Sequence, residues 1–213
     1  MPPILFTRGR ADLEHRGVSV VGSRNASAEG LRAAGYLAEG LVDRGVPVLS
    51  GLAEGIDTAA HVATLAAGGT PVGVLGTGIT KVSPAKTREL HAQVAEHGAL
   101  VSQFLPDAPP NKNTFPMRNA IMSGLGRATI VVEAGEHSGA RIQARVAVEH
   151  GRPVILTDLV VKATDWGRHL LGRPGVFHAH STAEALEQVK QVLERHRQAS
   201  QDFDLEPLLS LAL

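Results

Sequence analysis

Short apolar runs rich in valine, isoleucine, leucine and alanine recur along this chain, separated by longer segments that end in glycine. Near-continuous apolar runs, rather than a strict alternation, suit strands buried on both faces. On that basis residues 18–22, 46–50, 71–75, 99–102, 128–132, 153–156 and 176–177 read as strands. Segments 28–44, 56–67, 86–97, 118–125, 138–150 and 183–197 read as helices. Ser27 is placed to cap the first helix, and Gly45, Gly68 and Gly151 follow helix ends. Repeated βα alternation predicts an α/β fold: a doubly wound, mostly parallel sheet of extended Rossmann-like form, with helices on both faces. The division expected is a leader over 1–16, one core domain over 17–197 and a tail over 198–213 that turns Leu-rich from Leu205.

Composition narrows the classes. Hydrophobic residues make up 43% and charged residues 20%, as in an ordinary globular protein, while aromatics are only 3%. Cysteine is absent, which excludes disulfides, thiolate metal sites and a cysteine nucleophile. No signal-peptide pattern opens the chain, and no apolar run reaches the ~18 residues a membrane helix needs. The expectation is a cytoplasmic protein with no membrane partner. Formal net charge is zero, which argues against a nonspecific DNA coat but leaves room for a local basic groove.

Candidate chemistry lies in the loops at the strand ends. Gly22-Ser23-Arg24-Asn25 comes after the first strand, Ser50-Gly51 with Gly55 after the second, Gly76-Thr77-Gly78 after the third, and Glu133 precedes Ser138-Gly139 at a helix start. In a parallel sheet these ends share one rim, where ligands of doubly wound folds bind. Glycine permits close backbone approach, and helix N-termini supply free N–H groups, so the rim favours phosphate or another anion. Arg24 is suited to fork onto a phosphate. Glu133 fits a structural role, a ribose contact or a base equally well. Ser23 and Ser50 read as turn or capping serines, because neither stands in G-x-S-x-G. Neither a dinucleotide fingerprint nor a P-loop occurs, so no cofactor is expected. His178 and His180 fall on one strand face, but the sequence shows no carboxylate or third histidine beside them, and no metal site is expected. The stretch Lys112-Asn113-Thr114-Phe115-Pro116-Met117-Arg118-Asn119 offers cations for phosphates and a ring for a base.

These residues carry a resemblance. Val20-Val21-Gly22-Ser23-Arg24-Asn25, Ser50-Gly51-Leu52-Ala53-Glu54-Gly55-Ile56-Asp57, Val74-Leu75-Gly76-Thr77-Gly78, Asn113 to Asn119, and Val131-Val132-Glu133-Ala134-Gly135 with Ser138-Gly139 stand in one order over residues 17–157. In that arrangement the chain resembles the DprA/Smf DNA-processing family. The resemblance implies binding of single-stranded DNA in a basic cleft, a homodimer, delivery of RecA in natural transformation, and no catalytic reaction. It implies roles in binding for Arg24, Lys112, Arg118 and Asn119. Where the family tends to carry a Tyr-Pro-basic stretch, this chain has Ser83-Pro84-Ala85-Lys86, with Lys86 as the displaced cation. The family's flanking helical and winged-helix domains are not evident here. A second reading keeps the same fold but makes the cleft a pocket for a free nucleotide, as in a sensor. Hydrolysis of a nucleotide is disfavoured, because no Pro-Gly-Gly-x-Gly-Thr loop is present.

Overall fold

The computed structural model describes residue 2, residues 4–10 and residues 17–202. The Leu-rich stretch from Leu205 and leader residues 11–16 lie outside the described residues. Eight strands form one sheet: β1 Phe6–Gly9, β2 Val18–Val21, β3 Val48–Ser50, β4 Pro71–Val74, β5 Ala99–Ser102, β6 Ala128–Val131, β7 Val154–Thr157 and β8 Val176–Ala179. Their order is β1-β5-β4-β3-β2-β6-β7-β8. All neighbours pair in parallel except β1 with β5. The chain winds outward from β2 through β3 and β4 to β5, then restarts at β6 on the other side of β2. The strand order therefore reverses between β2 and β6, where such folds open a ligand crevice.

The apolar runs work because each central strand feeds two layers. Val18, Val20, Ile130 and Ile155 face a cluster with Leu37, Leu41 and Val189. Val21, Val131, Val154 and Leu156 face the opposite cluster with Met122, Ala144 and Trp166. Helices α1 Ala28–Val42, α2 Ile56–Ala66, α3 Arg88–His97 and α8 Thr182–Asp202 cover one face. Helices α4 Thr114–Leu125, α5 Gly139–Glu149, α6 Asp158–Val161 and α7 Asp165–Leu170 cover the other. The α/β, mostly parallel expectation holds. Among the described residues no helix is long and apolar enough to cross a membrane.

Three differences from the sequence reading have physical causes. Phe6–Gly9, inside the segment read as leader, is an edge strand paired antiparallel to β5. Its partly exposed Phe-Thr-Arg-Gly shows no buried run, so no strand signal was present. Helix α4 starts at Thr114, four residues before the expected start, because Pro116 is tolerated in a first helical turn. Helices α6 and α7 are too short for a periodic pattern to show.

Candidate nucleic-acid interface

The crevice between the ends of β2 and β6 is a cavity of about 840 Å³. Of the residues singled out in the sequence, Gly22, Ser23, Arg24, Asn25, Lys112, Phe115, Arg118, Asn119, Ser138 and Gly139 line it. A smaller cavity of about 110 Å³ adjoins it and shares Arg24, Ala53, Phe115 and Arg118, with Gly51 and Pro84 on its wall. The second cavity lies on the far side of these shared residues, toward the loop at Ser83, with Glu54 on its wall as well.

Loop 22–25 is held from behind. Ser23 N–H donates to the Glu133 carbonyl at 2.7 Å, and Ile56 N–H donates to the Ser23 carbonyl at 3.1 Å. Asn25 N–H donates to Ser23 Oγ at 3.1 Å. Gly55, at φ +74°, has the loop's carbonyls so close that a Cβ there would overlap them. This packing leaves Arg24 exposed and projecting over the groove, its guanidinium carbon 5.6 Å from the Phe115 ring centroid. At that distance the cation meets the negative face of the ring. The ring expected to stack on a base has Arg24 over one face, and its edge rests on Gly76, where a Cβ would sit 2.6 Å from the ring.

Arg118 is the buried counterpart. Its Nη1 donates to the Val74 carbonyl at 2.7 Å and its Nε donates to Asn119 Oδ1 at 3.2 Å. A Cβ on Gly51 would fall inside the Arg118 guanidinium, so this glycine is what lets the cation reach β4. Asp57 Oδ2 accepts from Gly51 N–H at 3.1 Å and from Ala53 N–H at 3.4 Å. Burial raises the Asp57 pKa, opposed by the charge of Arg118. Burial also lowers the Arg118 pKa, and Asp57 opposes that shift. Each charge offsets the desolvation of the other. On the opposite wall Ser138 caps α5, its Oγ accepting from Ala140 N–H at 3.2 Å. A Cβ on Gly139 would meet nothing within 4 Å, so the positive end of the α5 dipole opens on the cavity. Lys112 is exposed and makes no ion pair among the described residues.

The other candidates turn away. Glu133 is neither base nor ribose contact in this arrangement: its two oxygens accept from Ser27 N–H at 3.0 and 3.1 Å, and Ser27 Oγ donates to it at 2.7 Å. The carboxylate stabilises the start of α1, where negative charge is favourable. Ser50 is buried and donates to the Val20 carbonyl at 2.7 Å. Gly76, Thr77 and Gly78 form no anion loop. Thr77 Oγ1 donates to the Lys81 carbonyl at 3.2 Å, Gly78 N–H donates to the Ala108 carbonyl at 2.9 Å, and a Cβ on Gly78 would overlap the Leu105 and Pro106 carbonyls. Lys86 pairs with Glu54 and stands outside the main cavity. Asn113 is exposed at the start of α4, without a capping bond from its side chain. Sequence reasoning missed Glu136 and His137, which line the cavity from the turn before α5. Their place between a strand end and a helix cap was the available signal.

Fold and site together define a doubly wound α/β domain with a cleft at its switch point, lined by Arg24, Lys112 and Arg118 and also by Asp57 and Glu136. The family model for DNA recombination-mediator protein A matches residues 1–196, and the chain belongs to that family. It is 40% identical over 192 residues to protein Smf of Escherichia coli, covering 89% of this chain and 51% of that protein. DNA processing protein A of Streptococcus pneumoniae superposes with a TM-score of 0.76 at 35% identity, over 86% of this chain and 65% of that one. DNA processing protein A of Helicobacter pylori, whose single-stranded DNA binding mode its structure describes, has a TM-score of 0.80 over 89% of this chain and 88% of that one; at 21% identity it shows the fold alone. The chain spans about half the length of the curated relatives it matches.

Proposed function

We propose that this chain binds single-stranded DNA in the switch-point groove and acts as the core of a recombination mediator, without chemistry of its own. The observation that carries the reading is that two adjacent cavities share Arg24, Phe115 and Arg118 on their walls. Basic side chains therefore flank more than one single-ligand pocket. A strand needs more than one such site, whereas a free nucleotide needs one enclosed site. Family membership and the DprA relatives support the same reading. Homodimerisation, a RecA partner in natural transformation and a cytoplasmic location belong to this proposal and rest on the resemblance.

The groove dictates the mode of binding. The exposed Arg24 and Lys112 contact phosphates, and the end of α5 adds N–H donors. Contacts to the backbone carry no sequence information, so little base preference is expected. With the two exposed cations engaged, log K should fall against log salt with a slope of about −1.4, at ~0.7 per phosphate on a single strand. The test is fluorescence anisotropy with labelled oligo-dT over a salt series, on wild type and Arg24→Ala. The expected result is salt-sensitive binding that Arg24→Ala weakens, with a slope shallower by about 0.7. Absence of binding at low salt, or displacement of the oligonucleotide by stoichiometric mononucleotide, would overturn the reading in favour of a nucleotide pocket.

A further inference from the structure

At the far end of the same rim three potential ligands meet. His178 lies in β8 and His180 is the residue just after its end, and their rings stand side by side. The parallel register pairs Thr157 with Ala179, which brings Asp158, the next residue after β7, alongside both histidines. Asp158 Oδ1 lies 2.8 Å from His178 Nε2 and 3.3 Å from His180 Nδ1. The ligand atoms all lie within 4.8 Å of one another, and the two ring centroids are 4.0 Å apart.

These separations suit one small cation. Ligands bonded at about 2.0–2.2 Å in a tetrahedral arrangement stand roughly 3.3 Å from each other. Two imidazoles and one carboxylate match the preferences of zinc and its neighbours, while calcium and magnesium favour all-oxygen sets. The geometry points to a site for a divalent first-row transition ion, of which zinc is the expected occupant, held by Asp158, His178 and His180.

The surroundings support a held geometry. Gln188 Nε2 donates to the His178 carbonyl at 2.7 Å, and His180 N–H donates to Glu184 Oε2 at 2.8 Å, so α8 fixes the strand end and the residue after it that carry the two rings. His180 is largely exposed, which leaves coordination positions open to water or to a ligand oxygen. Lys162 is the opposing charge. Its Nζ lies 2.6 Å from Asp158 Oδ2, the oxygen that does not face the histidines, and its stem is largely exposed. The lysine can therefore keep Oδ2 or swing away while Oδ1 binds the ion.

The test is isothermal titration of chelator-treated full-length chain with zinc chloride at neutral pH. Saturation at one ion per chain is expected. His178→Ala, His180→Ala and Asp158→Asn should each weaken binding at least about tenfold. Lys162→Ala should leave affinity equal or higher, because it removes a cation and no ligand. The chain carries ten histidines, so binding that persists in both histidine variants would place the ion elsewhere and overturn the assignment. Absence of saturable binding in wild type would overturn it as well. Far-UV circular dichroism of the exposed-site variant His180→Ala guards against loss through unfolding. A zinc-dependent rise in melting temperature in wild type and Lys162→Ala, but not in His180→Ala, is the second readout.

Discussion

The strand ends at β2 and β6 and those at β3 and β4 look alike in sequence, each a small-residue loop behind an apolar run. They differ in what the small residues admit. At Gly22 to Asn25 and at Ser138-Gly139 the loops are tied down from behind and face the open groove. At Ser50, Gly76, Thr77 and Gly78 the space is filled by the protein itself: the Val20 carbonyl, the Phe115 ring and the 105–106 backbone. A glycine after a strand therefore signals close approach, but not by what. Arg118 joins the two regions, since it lies against Gly51 on the closed side and lines the groove on the other.

The sharpest way to break this contrast is at that joint. Arg118→Ala should destabilise by about 3–5 kcal/mol, because it leaves the buried Asp57 without its opposing charge. Urea denaturation at unchanged m-value measures this, and adding Asp57→Asn should recover part of the loss. A loss below about 1 kcal/mol would make Arg118 a surface-like cation and the joint illusory.

The next effect is a pH dependence confined to the closed side. His61 on α2 is fully buried, and burial lowers its pKa from 6.5 to about 4; burial lowers that of His91 on α3 to about 4 as well. The unfolded chain then binds more protons than the folded one between those values. Stability should fall as pH drops below 6.5 and level off below about 4. His61 alone contributes about 3 kcal/mol to that decline, at 1.36 kcal/mol per pKa unit. Chemical denaturation across that range, with His61→Asn flattening the curve, is the check.

The smallest effect compares two glycines directly. Gly78→Ala should cost about 1–3 kcal/mol, since its Cβ has no room against rigid carbonyls. Gly139→Ala, in open space at the groove, should shift stability by no more than about 0.5 kcal/mol. Equal melting temperatures for the two variants would erase the distinction between the regions.

Legibility in the sequence tracked how local the signal was. Buried parallel strands announced themselves as apolar runs, and Ser27 was a recognisable cap because a cap acts within three residues. Edge strand β1 was silent, since pairing on one side leaves its side chains mostly exposed. The groove residues Arg24, Lys112 and Arg118 were found by residue type and motif. Glu133 was not resolved, because its partner Ser27 lies 106 residues away in the chain. The absence of a carboxylate near His178 and His180 was likewise a statement about sequence neighbours, and β7–β8 pairing brings Asp158 beside them.

By itself the sequence determined the fold class, the positions of the inner strands and the rim where the small-residue loops converge. Periodicity and turn chemistry are short-range properties, and they sum to an architecture. Only the tertiary structure decided which loops on that rim stay open, that Phe115 carries Arg24, and that Asp158 joins two histidines. Those outcomes depend on groups far apart in the chain competing for the same few ångströms, and strand register sets which of them meet.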